Sequence, residues 1–253
     1  MADGLRESIV TVQTSDGPMS VFQVIPEGAQ DAPALVIAQE AFGVNSHIKA
    51  VCRRFAEEGY VAVAPDLYHR SGAMLTYAYD DPRRRESFSE LTNGGITADI
   101  EGALAYLKTL AEADAGRIGI VGFCVGGFVA FLAACRTDVA TAVCFYGGGI
   151  VNSREGLKLE PVLREADAIK VPVLCLFGEN DTSIPPTEVK AIRIALARQP
   201  REHQVIVYPN AGHGFFCDER DAYDRNAAED AWQRTRSWLE LRLKALASFP
   251  TED

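Results

Sequence analysis

The sequence lacks both a long apolar run and an excess of basic charge. None of its 253 residues belongs to a stretch of the roughly 18 apolar residues that a transmembrane helix needs. Acidic residues outnumber basic ones by 35 to 25, and the net charge of −10 argues against a nucleic-acid-binding protein. The opening residues MADGLRESIV carry acidic side chains and no apolar core of a secretory signal. We therefore expect a soluble, cytoplasmic protein that binds neither nucleic acid nor membrane.

Cysteine is present, but not in the spacings that indicate disulfides or structural zinc. The six cysteines form no CxxC pair and no Cys/His cluster. A cytoplasmic protein is not expected to contain disulfides. No clustered set of His, Asp and Glu ligands is visible either, so we predict neither a metal nor another cofactor. Four of the cysteines lie in apolar segments, where we interpret them as buried apolar side chains: Cys52, Cys135, Cys144 and Cys175.

Short apolar runs alternate with longer helical patterns along the whole chain. The runs predict strands at 8–14, 19–25, 34–39, 61–65, 118–123, 140–146, 173–178 and 204–208. The helical patterns cover 47–58, 83–91, 97–111, 125–134, 186–197 and 222–246. This alternation is typical of an α/β fold with a mostly parallel sheet and helices on both faces. We expect residues 1–253 to form a single domain, with its functional groups beyond the carboxyl ends of the strands.

A nucleophile motif lies at one of these strand ends. The fifth predicted strand leads directly into GFCVGG and then into an apolar helix, the G-x-nucleophile-x-G arrangement with Cys124 in the nucleophile position. Gly122 and Gly126 leave room for the strand and helix to approach each other. The helix N-terminus favours a thiolate, and the N–H of Val125 would face a developing oxyanion. A dinucleotide-binding turn is the alternative, but the GxGxxG order is incomplete.

Two later strand ends carry a general base and an acid. His213 follows the last predicted strand within AGHGF, and Asp181 ends GEND after the strand before it. The order nucleophile, acid, histidine is that of α/β-hydrolases. We therefore predict a Cys124–His213–Asp181 triad, with Glu179 as the competing acid. The other histidines are interpreted as structural or solvated: His47, His69 and His203.

Five motifs together resemble those of one enzyme family. They are QEAFGVN at 39–45, APDLY at 64–68, GFCVGG at 122–127, GEND at 178–181 and AGHGF at 211–215. On these motifs the chain resembles the dienelactone hydrolase family (carboxymethylenebutenolidase-like) of the α/β-hydrolase fold, from about Val36 to the end of the C-terminal helix. The resemblance implies that Glu40 contacts the resting cysteine and activates its thiol, and that Ala41 supplies the second oxyanion-hole amide. The alternative for Glu40 is a cap on the helix at 47–58.

The resemblance also implies a subsite for a substrate carboxylate. Arg84 and Arg85 both fit the arginine that the family places before the helix at 97–111, and Phe88 stands where the family has a tyrosine. Tyr146 is expected to line the pocket. The family's second arginine, four residues after the histidine, is replaced here by Cys217. Arg220 is the nearby candidate to take over its role.

These observations predict an enzyme that hydrolyses a small lactone or enol ester of the carboxymethylenebutenolide type. The loss of the second arginine leaves open a broader carboxylesterase or thioesterase. A non-catalytic small-molecule binder on the same fold is the alternative from a different class of protein. The expected partner is the small-molecule substrate alone, and the protein is expected to be a monomer or a small homo-oligomer.

Overall fold

One eight-stranded sheet forms the centre of the protein. The computed structural model describes residues 4–244. The strands are β1 Leu5–Thr14, β2 Gly17–Pro26, β3 Ala32–Ala38, β4 Val61–Pro65, β5 Ala113–Phe123, β6 Thr141–Phe145, β7 Val173–Gly178 and β8 His203–Tyr208. Their order across the sheet is β1-β2-β4-β3-β5-β6-β7-β8. Strands β1 and β2 form a hairpin that joins β4 in antiparallel fashion, and all other neighbours are parallel. The predicted α/β fold with a mostly parallel sheet is confirmed.

Helices connect the parallel strands and flank the sheet. The α-helices are α1 Ser46–Glu57, α2 Arg84–Glu90, α3 Asn93–Leu107, α4 Val125–Arg136, α5 Pro186–Leu196 and α6 Arg225–Leu239. A 3-10 helix at Leu163–Ala168, which the sequence did not predict, and a π-helical turn at Glu240–Lys244 complete the set. Within residues 4–244, none of these helices has the length and apolar character needed to cross a membrane.

Two helices differ from their predicted bounds by more than two residues, for identifiable reasons. Helix α3 was expected at 97–111 but begins at Asn93, because the Thr92 hydroxyl accepts a hydrogen bond from the Gly95 N–H (3.1 Å) and caps the helix despite two glycines. The C-terminal helix was expected at 222–246. It begins at Arg225, after the Asp224 carboxylate accepts from the Ala227 N–H (3.0 Å), and gives way to the π-helical turn. Residues 245 and 246 lie outside the described part.

The parallel strands bring distant residues to one edge of the sheet. Glu40 follows β3, Cys124 follows β5, Asp181 follows β7 and His213 follows β8. Because neighbouring parallel strands end at the same edge, these four residues collect in one region although they are far apart in sequence.

Strand β5 and helix α4 meet in a turn that only glycine fits. A Cβ atom on Gly122 would lie 1.8 Å from the carbonyl oxygen of Gly126. A Cβ atom on Gly126 would lie 2.2 Å from the carbonyl oxygen of Ala38, at the end of β3. Both obstacles are backbone atoms, so a larger residue would have to move a whole strand or helix. The packing of α4 against the sheet therefore depends on these two glycines.

We predict that Gly126→Ala lowers the free energy of unfolding by about 3 kcal/mol or more, because the added methyl group overpacks backbone against backbone. Gly94→Ala is the matched control. An added Cβ at Gly94 would meet nothing within 4 Å, and this change should shift stability by less than about 1 kcal/mol. Urea unfolding of both variants measures the difference. Equal stability of Gly126→Ala and the wild type would contradict the steric account.

Candidate active site

Cys124 occupies a strained turn at the amino end of α4. Its backbone has φ 57° and ψ −116°, a left-handed conformation that residues other than glycine rarely adopt. The Cys124 N–H donates to the carbonyl oxygen of Phe145 (3.1 Å), and the Cys124 carbonyl accepts from the N–H groups of Gly127 and Phe128. These bonds hold the turn in place and fix the direction in which the thiol projects.

The side chains of Cys124, His213 and Asp181 form one hydrogen-bonded chain. His213 Nε2 lies 3.1 Å from the Cys124 sulfur, and His213 Nδ1 lies 2.7 Å from Asp181 Oδ2. The other carboxylate oxygen of Asp181 accepts from the Ser183 N–H (2.8 Å). Glu179 instead accepts from the Asn210 N–H (3.4 Å) at an exposed position. The structure therefore brings Asp181, and not Glu179, to the histidine.

The surroundings of His213 favour its protonated form. Burial disfavours the charged imidazolium, but Coulombic attraction to the Cys124 sulfur and the hydrogen bond with Asp181 outweigh that effect and raise the pKa of His213 to about 10. The imidazole therefore carries both protons at neutral pH, one directed towards the carboxylate and one towards the sulfur. This is the arrangement needed to pair with a thiolate and to deliver a proton to a leaving group.

Two backbone N–H groups are the predicted oxyanion-hole donors. Val125 is the first residue of α4, where an N–H has no intrahelical acceptor. The Ala41 N–H and the Glu40 carbonyl belong to the same peptide group. The Glu40 carbonyl oxygen accepts hydrogen bonds from the Gly43 N–H (3.3 Å) and from the Gln39 side chain (3.4 Å). Since C=O and N–H point in opposite directions in a trans peptide, these bonds fix the direction of the Ala41 N–H. Ala41 itself lines the cavity in front of Cys124.

Glu40 is fully buried next to this chain but does not join it. Among the described residues, neither of its carboxylate oxygens has a hydrogen-bond partner. Its nearest cation is Arg220, whose Nη1 lies 3.6 Å from Glu40 Oε1. The alternative that Glu40 caps helix α1 is wrong, because the Asn45 side chain performs that role by accepting from the Ile48 N–H (3.1 Å).

A cavity of about 610 Å³ opens in front of Cys124 and His213. It is lined by Ala41, Phe42, Asp80, Pro82, Arg84, Arg85, Phe88, Cys124, Glu155, Leu157, His213 and Arg220. Three arginines therefore face it, together with apolar side chains and two carboxylates. The guanidinium carbons of Arg84 and Arg220 lie 5.4 and 5.3 Å from the centre of the Phe42 ring, within cation–π range.

Arg83 and Tyr146 lie away from the cavity wall. Arg83, the first of three successive arginines, is paired with Asp81 (2.7 Å) and largely exposed. Tyr146 was expected to line the pocket, but its side chain is fully buried and packs edge-to-face against the His213 ring at 5.2 Å. Tyr146 therefore supports the histidine from behind.

Comparison with known proteins agrees with the geometry. Residues 19–243 match the model of the dienelactone hydrolase family. The chain belongs to the dienelactone hydrolase family. It is therefore an α/β-hydrolase that acts on ester bonds.

Individual relatives cover almost the whole chain. A Synechocystis protein provisionally named a carboxymethylenebutenolidase is 34% identical over 247 residues, covering 96% of this chain and 100% of its own. The carboxymethylenebutenolidase of Pseudomonas putida is 32% identical over 235 residues, covering 91% of this chain and 94% of its own. A crystal structure from Klebsiella pneumoniae, provisionally named a dienelactone hydrolase, superposes with a TM-score of 0.86 at 32% identity and covers 94% and 99% of the two chains.

Several residues that line the cavity of this dienelactone hydrolase family member could not be predicted from the sequence. Asp80 and Pro82 come from the segment before α2, and Glu155 and Leu157 from the long loop after β6. Neither segment has the periodicity of a strand or helix, so nothing in the linear pattern indicates which side chains face inward.

We expect the imidazole of His213 to titrate near pH 10 in NMR spectra of the wild type. This pKa lies above the ordinary value of about 6.5 that His213 has in the unfolded chain. Protonation of His213 therefore stabilises the fold, and its contribution is complete below about pH 6.5. The contribution is lost as the pH rises through about 10. Cys124→Ala removes the sulfur that favours the charged form, so the pKa of His213 should fall. His203, whose pKa is lowered by burial, serves as the internal reference. A wild-type midpoint near 6.5 for His213 would contradict the proposed ion pair.

Proposed function

We propose that this protein hydrolyses small lactones or enol esters of the carboxymethylenebutenolide type, with Cys124 as its nucleophile. The observation that carries the proposal is the continuous chain from the Cys124 sulfur through His213 to Asp181, with contacts of 3.1 and 2.7 Å, at a cavity large enough for a small molecule. Membership of an ester-hydrolase family supports the reaction class. The triad roles and the substrate are the parts that we infer.

Acylation begins with the Cys124 thiolate and the His213 imidazolium. The sulfur attacks the acyl carbon, and the electrons of the carbonyl bond move onto its oxygen, where the N–H groups of Ala41 and Val125 stabilise the negative charge. As the tetrahedral intermediate collapses, the bond to the ring oxygen breaks and His213 donates its Nε2 proton to that oxygen. The product is a thioester on Cys124 and a neutral imidazole held in position by Asp181.

Deacylation uses the same groups, with His213 acting as the base and water as the nucleophile. Neutral His213 removes a proton from a water molecule as its oxygen attacks the thioester carbon. The second tetrahedral intermediate expels the Cys124 thiolate, which restores the ion pair with the imidazolium. The carboxylic acid product leaves the cavity, and no cofactor enters either half of this scheme.

The proposed role of Glu40 in thiol activation requires a movement. In this conformation its carboxylate lies beside Arg220, and it is His213 that hydrogen-bonds to the sulfur. Glu40 directly precedes Ala41, so a change at the Glu40 side chain acts next to the proposed oxyanion donor. A carboxylate turned towards Cys124 would serve as an additional base for a protonated thiol.

Recognition of a substrate carboxylate is assigned to the arginines of the cavity. Arg220 takes the place of the family arginine that is replaced by Cys217, and Arg84 and Arg85 of helix α2 line the same cavity. A planar guanidinium can bind a carboxylate through two parallel hydrogen bonds. Phe88, from the same helix, contributes apolar surface for the body of the substrate.

A broader carboxylesterase or thioesterase is the second candidate. Asp80 and Glu155 also face the cavity, and they offset part of the positive charge of its arginines. Phe42, Phe88 and Leu157 provide apolar surface suited to a neutral acyl group. The two candidates share the triad and differ in whether the substrate carries a negative charge.

The deciding experiment compares a carboxylate-bearing dienelactone with a neutral aryl ester of similar size. We predict that the wild type has the higher kcat/KM for the dienelactone. Arg220→Gln should reduce that value about 10- to 100-fold, because it removes a charge-assisted hydrogen bond. It should change the value for the neutral ester by less than about threefold, and Cys124→Ala should abolish both activities.

Arg83→Gln is the matched control for Arg220→Gln. Arg83 precedes Arg84 in the chain but does not line the cavity, so its loss should leave kcat/KM for both substrates unchanged. Preference of the wild type for the neutral ester would favour the broader esterase. Undiminished turnover by Cys124→Ala would refute the assigned nucleophile.

A further inference from the structure

Three potential metal ligands meet behind the cavity wall. Glu40 comes from the segment after β3, His47 from the first turn of α1, and Cys217 from the loop after β8. One ligand atom from each lies within 4.8 Å of the other two, and all three side chains are buried. The cluster is not apparent in the sequence because Cys217 is far along the chain from Glu40 and His47.

The polar atoms of this cluster are unusually poorly satisfied. Within the described part of the chain, both carboxylate oxygens of Glu40 and Nε2 of His47 are buried without a hydrogen-bond partner. Buried polar atoms that are left unpaired are destabilising, and more so when they are charged. Nδ1 of His47 lies 3.9 Å from the Asp218 carboxylate, so Nε2 is the nitrogen left for a ligand.

We propose that Glu40, His47 and Cys217 form a binding site for Zn²⁺ or a similar borderline-soft divalent cation. A carboxylate oxygen, an imidazole nitrogen and a thiolate are all ordinary zinc ligands. Bond lengths of 2.0–2.3 Å in tetrahedral geometry place such ligand atoms about 3.3–3.8 Å apart. The present separations of at most 4.8 Å therefore need only small side-chain movements to close around an ion. Three protein ligands leave the fourth position to water.

Arg220 and the cation compete for the same carboxylate. The guanidinium of Arg220 lies 3.6 Å from Glu40 and also reaches the cavity, where its side chain is 21% exposed. A dication at Glu40 repels this guanidinium, so occupancy of the site moves Arg220 away from Glu40. On binding, the Cys217 thiol loses its proton to solvent as the sulfur–metal bond forms. The Tyr79 hydroxyl, 3.4 Å from this sulfur, donates its proton to Glu219 (2.8 Å) and would have to turn from that carboxylate to donate to the resulting thiolate.

Co²⁺ is the probe for the test, because a thiolate ligand gives it a sulfur-to-metal charge-transfer band. The titration uses the full chain carrying Cys124→Ala, since Cys124 and His213 form a second sulfur–nitrogen pair that would confuse the signal. We expect one equivalent of Co²⁺ to give a charge-transfer band and tetrahedral d–d bands. Adding Cys217→Ser should eliminate the charge-transfer band and weaken binding at least about tenfold. Cys135→Ser, at a half-buried cysteine on the outer part of α4, should change neither.

His47→Gln provides a second variant, in which the sulfur band survives at saturation but the affinity falls about tenfold or more. Thermal unfolding checks that each variant folds, and Zn²⁺ should raise the Tm of the Cys124→Ala protein but not that of its Cys217→Ser derivative. A Cys124→Ala protein without the charge-transfer band would overturn the proposal. So would a band of unchanged intensity and affinity in the Cys217→Ser derivative, which would indicate a surface site.

Discussion

The close approach of helix α4 to the ends of β3 and β5 is the constraint on which the active site depends. The carbonyl oxygen of Ala38 occupies the space that a side chain at position 126 would fill, and the carbonyl oxygen of Gly126 does the same for position 122. This backbone contact forces Cys124 into its left-handed conformation and lifts the thiol out of the sheet. It also places the first N–H groups of α4 beside the end of β3, where Ala41 begins the cavity wall.

Several buried charged groups meet at this edge of the sheet. Asp181 and Glu40 are buried, and the side chain of His213 is 23% exposed. The hydrogen bond with Asp181 helps to raise the pKa of His213. Behind them, the rings of Phe123, Phe145 and Phe216 pack at centroid distances between 4.6 and 5.2 Å and form a rigid support. A dry support of this kind strengthens the electrostatic interactions in front of it, because little water is present to screen them.

The fold was largely predictable because buried parallel strands leave a simple signature. The apolar runs at Val61–Pro65 and Val173–Gly178 match the observed strands residue for residue. Helix ends were harder to predict, since the start of α3 depends on one hydroxyl of Thr92 that overrides the low helix propensity of two glycines.

The candidate site was predictable to a smaller extent. Cys124, Asp181 and His213 each follow a strand within a short motif, so their meeting could be inferred from topology alone. The direction of Tyr146 depends instead on a positive φ of 36°, which no sequence pattern reveals. The Glu40–His47–Cys217 cluster likewise depends on how a strand end, a helix and a loop pack together. Residues joined only by tertiary packing leave no periodic signal along the chain.

Trapping of the covalent intermediate would identify the nucleophile. The protein is mixed with an activated aryl ester, quenched in acid within the first turnover, digested and analysed by mass spectrometry. We expect an acyl mass increase on the peptide that contains Cys124. An acyl group on another cysteine, or full hydrolysis by an enzyme whose Cys124 peptide is never modified, would show that Cys124 is not the nucleophile.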